Sequence, residues 1–245
     1  KMKKTFLKNL FRDIKKTISR FLSIVVIIAV GVAFYAGVRA TSPDMESSGD
    51  TYLAQHNFMD FKLMSTLGLT KNDLSEVKKQ PGISMAEGAF SIDAVYEKNE
   101  HALVLNINSI PAENGINTMK IVEGRIAKSN DEVVVEERFL KANQLKIGDE
   151  IEFKSGKDSK IEDDLKNSKF KIVGSAQSPL YLSVQRQLSP LGNGTVKGFA
   201  YILPEVFKSD VYTEIYVKTN QDESQDSLLN NADYKKSIAG MEENF

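Results

Sequence analysis

Few residues in this chain have a type and spacing that could do chemistry. The two histidines, His56 and His101, lie in polar loop sequence with no second histidine at helical spacing, so neither begins a zinc site. Two carboxylate clusters stand out, Glu136 with Glu137 and Glu162 with Asp163 and Asp164. Acid–base work needs surroundings that drive two pKa values apart, and a hard cation needs further oxygen ligands; neither is written beside these clusters. Solvated charge is the reading they support. Gly192, Asn193 and Gly194 lack the third glycine and following helix of a phosphate-cradling loop, and read as a turn. Neither the G-x-x-x-x-G-K-[ST] loop of ATP-hydrolysing proteins nor the G-x-S-x-G nucleophile elbow occurs in the sequence. Without cysteine there is no disulfide framework, no thiolate metal site and no lipid-modified cysteine. The expectation is a chain with no catalytic residue, no metal and no cofactor, which is not itself an enzyme.

Recognition is the chemistry that remains. The stretch from Gln177 to Gly194, QSPLYLSVQRQLSPLGNG, sets Leu180, Tyr181, Leu182, Val184 and Leu188 among prolines, serines and Arg186. A long, partly apolar loop of this kind is either a binding element or an excursion packed on the core. If any segment touches a partner it is this one, with Leu180, Tyr181, Leu182, Arg186 and Leu188 as the contact residues.

The elements that must carry such a loop begin at a membrane. Phe21 to Val38 is a run of eighteen residues without a charge, flanked by Arg20 and Arg39. At ~1.5 Å per residue such a helix reaches about 27 Å, near the ~30 Å thickness of a bilayer's hydrocarbon core. Ahead of it, Phe6, Leu7, Leu10, Phe11, Ile14 and Ile18 share one helical face and Lys3, Lys4, Lys8, Arg12, Lys15 and Lys16 the other. That pattern predicts an interfacial helix lying on the inner leaflet. Eight bases against Asp13 give the first twenty residues a charge of +7, so a chain total of −1 leaves −8 for the rest. The positive-inside rule then keeps the N-terminus cytoplasmic and places everything after about residue 39 outside. A cleaved signal peptide is the alternative, because Val38 and Ala40 suit the positions before a cut. Its h-region, though, usually holds only ~7–15 residues. A buried core helix is disfavoured, since Ile24 to Ile28 leave no face for water. The lipid bilayer is thus a partner, and nucleic acid is not, because the dense basic patch sits beside anionic headgroups and the remainder is acidic.

Beyond the anchor, residues 39–51 are polar and without periodicity, and read as a tether. Asp60 to Ser65 alternates like a strand, and Thr70 with Asp73 three residues on resembles a capping box opening a helix through Lys79. Ile92, Ala94 and Tyr96, then Leu103, Leu105 and Ile107, predict a β-hairpin. Strands follow at Val133 to Val135, Glu150 to Lys154, Phe170 to Gly174, Phe199 to Leu203 and Thr213 to Lys218, with a helix over Glu136 to Gln144. The fold class is α+β. The predicted organisation is an amphipathic helix over 1–20, a transmembrane helix over 21–38, the tether, and a mixed extracytoplasmic domain over 52–220. Within that domain a strand–helix–hairpin unit spans about 52–120 and a β-rich, barrel-like unit about 121–220. Residues 221–245 read as the start of a further, truncated segment.

Taken in order, these parts resemble the N-terminal half of the FtsX-like, MacB-like ABC transporter permeases. The resemblance is carried by the position after a first membrane helix and by Val122, Glu123, Gly124 and Arg125, then Asp131 to Val135, then Gly148, Asp149, Glu150 and Ile151, then Phe170 to Gly174. There the pattern is E-G-R, a valine-rich strand, a short helix, G-D-x-[IV], and [FY]-x-[IV]-V-G. Ser178 to Ile202 looks like the long permeases of Gram-positive bacteria. The resemblance implies a bacterial cell-membrane permease subunit without its own nucleotide site. Its partners would be a cytoplasmic ABC ATPase subunit, reached through parts of the chain not present here, and a second permease copy or half. The extracytoplasmic domain would act on an unidentified lipid, lipoprotein, peptide or cell-wall partner. The competing reading is a single-pass anchored binding or sensor domain that works without a motor.

Overall fold

A computed structural model describes residues 5–6, 8, 11–12, 17–98, 101–156, 160–183, 185–192 and 194–220. Most of the predicted interfacial helix and all of residues 221–245 lie outside the described residues; Thr5, Phe6, Lys8, Phe11 and Arg12 are helical. The chain divides into two compact units, Lys1–Asp50 and Thr51–Phe245.

Helix α1 runs from Ile18 to Gln55, and within it lies a window long and apolar enough to cross a membrane. Phe21, Ile24, Ile27, Phe34 and Val38 are all exposed, and no core among the described residues covers these apolar side chains. The reading of residues 39–51 as an irregular tether is corrected here, because the segment is helical throughout. The costly step in making a helix is its first turn, and a helix already nucleated in the apolar run needs only one bond per added residue. Thr41, a residue that competes for backbone hydrogen bonds, gives its hydroxyl to the Gly37 carbonyl one turn back, at 2.8 Å, and so stays compatible with the helix.

The second unit holds ten strands among its described residues. A three-stranded antiparallel sheet has the order β1 (Phe61–Leu69), β10 (Tyr212–Thr219), β2 (Ile83–Ala89). Helix α2 (Lys71–Lys79) covers one face of it, packing Leu74 and Val77 on Phe61, Ile215 and Val217. Its capping box forms as predicted, with Asp73 N donating to Thr70 Oγ1 at 3.2 Å and Thr70 N to Asp73 Oδ2 at 2.7 Å.

The larger sheet has the order β3 (Ser91–Lys98), β4 (His101–Ser109), β9 (Val196–Ile202), β6 (Glu132–Glu136), β8 (Lys169–Gln177), β5 (Lys120–Gly124), with β7 (Glu150–Glu152) also on β8. Just past β7, Lys154 and Val95 of β3 exchange backbone hydrogen bonds of 2.8 Å in both directions, which brings the sheet nearly to a closed barrel. Leu105, Ile107, Val133, Val135, Phe153, Phe170 and Ile172 fill the interior. Val134 points the other way, into a second cluster with Phe199 and Tyr201, so β6 is buried on both faces. That is why its valines run unbroken instead of alternating. Helix α3 (Glu137–Asn143) follows β6 directly, and the short helix α4 (Ile161–Asp164) interrupts the charged excursion before β8.

The predicted division into units over about 52–120 and 121–220 does not hold, because the two sheets are interleaved in sequence. The hairpin β3–β4 belongs to the barrel, whereas β10, the last strand, returns to pair with β1 and β2. Alternation reveals which residues face inward along a strand, but not which distant strand lies beside it.

The motifs that carry the family resemblance converge on β8. Gly124 of β5 is in register with Gly174 of β8, and Arg125 N donates to the Val173 carbonyl at 3.0 Å. Gly148 N reaches the Ile172 carbonyl at 2.8 Å, Ile172 N the Asp149 carbonyl at 2.9 Å, and Lys171 N the Asp131 carbonyl at 2.7 Å. Gly124 has φ +79, and a Cβ there would stand 2.3 Å from the Val173 carbonyl oxygen, so the crossing admits only glycine. Arg125 holds Glu132 of the valine strand in a bidentate pair, one arm at 2.7 Å, and the Lys128 amide adds a bond of 2.8 Å to the same carboxylate. The four motifs are one backbone clamp.

That clamp should be sensitive to acid. Arg125 and the Lys128 amide hold the Glu132 carboxyl down at about 2 from an ordinary 4.5. The unfolded chain therefore binds this proton more tightly than the folded one, and the group's contribution to stability, present above 4.5, is lost as pH falls toward 2. Glu132→Gln is expected to lower the unfolding midpoint at neutral pH and to converge with the wild type near pH 2. Thermal melts across that range check it; parallel curves at every pH would contradict it.

Candidate partner-contact site

The described residues between Ser178 and Leu191 leave β8 and strap across the outside of the barrel wall before β9 begins. Ser178 starts the strap, its hydroxyl accepting from the Leu180 amide at 3.3 Å and sharing a 2.8 Å hydrogen bond with the Tyr201 hydroxyl. Pro179–Tyr181 then form a single 3-10 turn. The Tyr181 ring stacks on Phe199 with centroids 4.5 Å apart and planes 17° from parallel. Its hydroxyl donates to Asn106 Oδ1 and accepts from Asn108 Nδ2 at 2.9 Å, while Asn106 Nδ2 donates to Asp93 Oδ1 at 2.8 Å. Burial pushes the Tyr181 phenol well above its ordinary pKa, so it stays neutral and serves as a hydrogen-bonding anchor. Leu180, one residue earlier, packs with Met59, Ala89, Ile116 and Tyr216, on the side of the three-stranded sheet. Adjacent residues of the strap thus engage both sheets.

Arg186 secures the strap a second time. Its guanidinium lies 5.5 Å from the Tyr181 ring centre, donates to the Tyr181 carbonyl at 3.2 Å, and pairs with Glu136 at the end of β6. Both side chains are largely removed from water, 13% exposed for Arg186 and 6% for Glu136. Glu136 is therefore not the solvated charge that its neighbourhood in sequence suggested. Burial raises its carboxyl pKa, and that effect exceeds the opposing pull of Arg186. Its Oε2 has no hydrogen-bond partner among the described residues. Glu137, the next residue, is part-buried, and hydrogen bonds from Lys141 and then Gln177 lower its pKa. A cavity of about 150 Å³ lies against them, lined by Tyr52, Glu136, Glu137, Gln177, Tyr181 and Leu182. It is smaller than the ~300 Å³ at which ligand pockets begin.

Of the five predicted contact residues, the structure turns Leu180, Tyr181 and Arg186 inward and leaves Leu182 and Leu188 exposed, at 53% and 87%. Elsewhere the candidate groups stay apart. His56 follows α1, its ring 4.4 Å from that of Tyr52 and its carbonyl bound by the Thr118 amide, while His101 opens β4. Asp163 caps its own short helix by accepting from the Lys160 amide at 3.1 Å. Among the described residues no three histidines or carboxylates gather as metal ligands would.

This architecture has relatives in shape. It is similar to the extracellular domain of the noncanonic ABC-type transporter YknZ from Gram-positive bacteria, at 13% identity and a TM-score of 0.40, over 71% of this chain and 79% of that one. It is also similar to the periplasmic region of MacB from Actinobacillus actinomycetemcomitans, at 14% identity and a TM-score of 0.38, over 73% and 75%. A domain assigned to a permease from Porphyromonas gingivalis matches at 12% identity and a TM-score of 0.36, over 77% and 84%. No family model and no curated protein matches the chain.

Sequence reasoning missed the residues that hold the strap: Asn106, Asn108, Ser178, Tyr201 and Glu136. One signal was available for the first two. Asn106 and Asn108 interrupt one face of an otherwise apolar strand, and a buried amide must find partners.

Proposed function

We propose that this chain supplies the first membrane helix and the extracytoplasmic domain of an FtsX-like, MacB-like ABC transporter permease in a bacterial cell membrane. The observation that carries the reading is the convergence of the four family motifs on one backbone clamp, in a domain that follows a helix apolar enough to span a bilayer. The basic N-terminus stays in the cytoplasm and the residues beyond the apolar run lie outside. A separate cytoplasmic ATPase hydrolyses ATP, and a second permease copy or half completes the membrane bundle. Helix α1 supports a mechanical role, because a helical segment passes on displacement that a slack linker would absorb. The strap then offers Leu182 and Leu188 to a lipid, lipoprotein, peptide or cell-wall partner, while Leu180, Tyr181 and Arg186 fix its path.

The test is the motor. The full polypeptide, purified from its own membrane in mild detergent, should retain a P-loop ATPase in comparable amount and show vanadate-sensitive ATP hydrolysis. A preparation that is folded, complete in its membrane helices and free of any ATPase would overturn the reading in favour of an anchored sensor.

A further inference from the structure

A second cavity, away from the strap, is large enough to hold a ligand. It has a volume of about 550 Å³, within the ~300–1,000 Å³ of binding pockets, and lies where the three-stranded sheet meets the barrel. Its aromatic residues are Phe90 and Tyr212, with ring centres 5.2 Å apart, and Phe90 is braced from behind by Phe207 at the same distance. Pro111 and Pro204 are among its lining residues. The pyrrolidine ring fixes φ, which stiffens the backbone at these two points, and neither leaves an N–H to satisfy.

The charges around the cleft are unbalanced. Glu87, Glu205 and Asp210 line it against Lys71 alone. Glu87 is committed, its two oxygens taking the Ala112 and Ile116 amides at 2.7 Å each, which ties the floor of the cleft to the loop after β4. Glu205 and Asp210 are exposed on the wall, and neither makes a hydrogen bond or ion pair with another described residue. An aromatic face beside uncommitted carboxylates is suited to a side chain that carries a cation on an apolar stem, since the ring quadrupole and the carboxylates attract the same charge.

We propose that this cleft is a docking site for an extended peptide segment bearing a lysine or arginine next to an apolar residue. The cation meets Glu205 and Asp210, and its stem and the apolar neighbour lie on Phe90 and Tyr212. A peptide is favoured over a small cation because a cleft of about 550 Å³ holds more than one side chain and sets aromatic and acidic groups in the same lining. The site rests on none of the transport reading, and it can be tested without nucleotide or ATPase.

The experiment uses the full chain in nanodiscs of zwitterionic lipid, titrated with fluorescein-labelled hexapeptides in which lysine and phenylalanine are fixed at the centre and the other positions are mixed. The control pool carries glutamate for lysine. The lysine pool should bind saturably, and the glutamate pool at least about tenfold more weakly. The double variant Glu205→Gln/Asp210→Asn, changed only on the surface, should keep its melting curve and lose about tenfold in affinity. Tyr212→Ala should weaken binding by a similar factor. Equal binding of the two pools, no saturable binding of either, or affinity unmoved by both variants would overturn the proposal.

Discussion

Replacing Arg186 by methionine is expected to destabilise the folded domain by about 3–5 kcal/mol at neutral pH, because it leaves Glu136 charged, buried and unpaired. Methionine keeps much of the arginine's volume, so lost packing is the smaller part of the effect. The pH dependence identifies the cause. Burial already raises the Glu136 carboxyl in the folded state, and removal of Arg186, the main opposing influence, raises it further. The folded protein then holds this proton more tightly than the unfolded chain, so stability falls as pH rises through the folded-state pKa and recovers as pH is lowered toward the ordinary 4.5. The variant should thus approach the wild type in acid and diverge from it above. That direction is opposite to the acid loss expected at Glu132. The double variant Glu136→Leu/Arg186→Met should lie within about 1 kcal/mol of the wild type, since an apolar pair leaves no stranded charge. Denaturation monitored at pH 5 and pH 8 measures all three. A penalty independent of pH would mean that packing, not the ion pair, holds the strap.

Gly174→Ala is expected to cost about 3 kcal/mol or more, at the upper end of overpacking effects. A Cβ at this position would stand 2.3 Å from the Arg125 carbonyl oxygen and 3.1 Å from its nitrogen. Both are backbone atoms, so no side chain can rotate away, and relief requires β5 to lift off β8. The register pair Gly124 and Gly174 would separate, and with it the hydrogen bond from Arg125 N to the Val173 carbonyl. Limited proteolysis of the variant in membranes should cut near Lys120 and Lys128 at protease levels that spare the wild type. Resistance equal to the wild type would show that the glycine in this motif is not needed for the crossing.

These two sites mark the limits of what could be read from sequence. The capping box of Thr70 and Asp73 and the hairpin β3–β4 were legible because their determinants lie within a few residues of one another. The return of β10 to β1 was not, because Lys62 and Glu214 meet across more than one hundred residues and nothing in either strand names the other. Strand β5 was hidden for a different reason: it is short and mostly exposed, and its one partner is β8, so no alternation announced it. The loop after Gln177 was recognised as unusual from its apolar content, but its direction depends on Asn106, which lies 75 residues before Tyr181. The same apolar residues that suggested a binding loop are, at Leu180 and Tyr181, the ones that pack it down. Glu136 shows the converse, a carboxylate beside another carboxylate whose burial only the tertiary structure could reveal.

We propose that movement in a cytoplasmic motor reaches the folded domain through α1. Hydrogen exchange on the full polypeptide with its ATPase, compared before and after trapping with ATP and vanadate, tests this most directly. Exchange in the strap and in the last turns of α1 should change on trapping. The change should vanish when a flexible glycine–serine insert is placed between Ser47 and Ser48, with ATP hydrolysis retained. Exchange beyond Gln55 that is identical in the two nucleotide states would mean that α1 passes no movement to the domain.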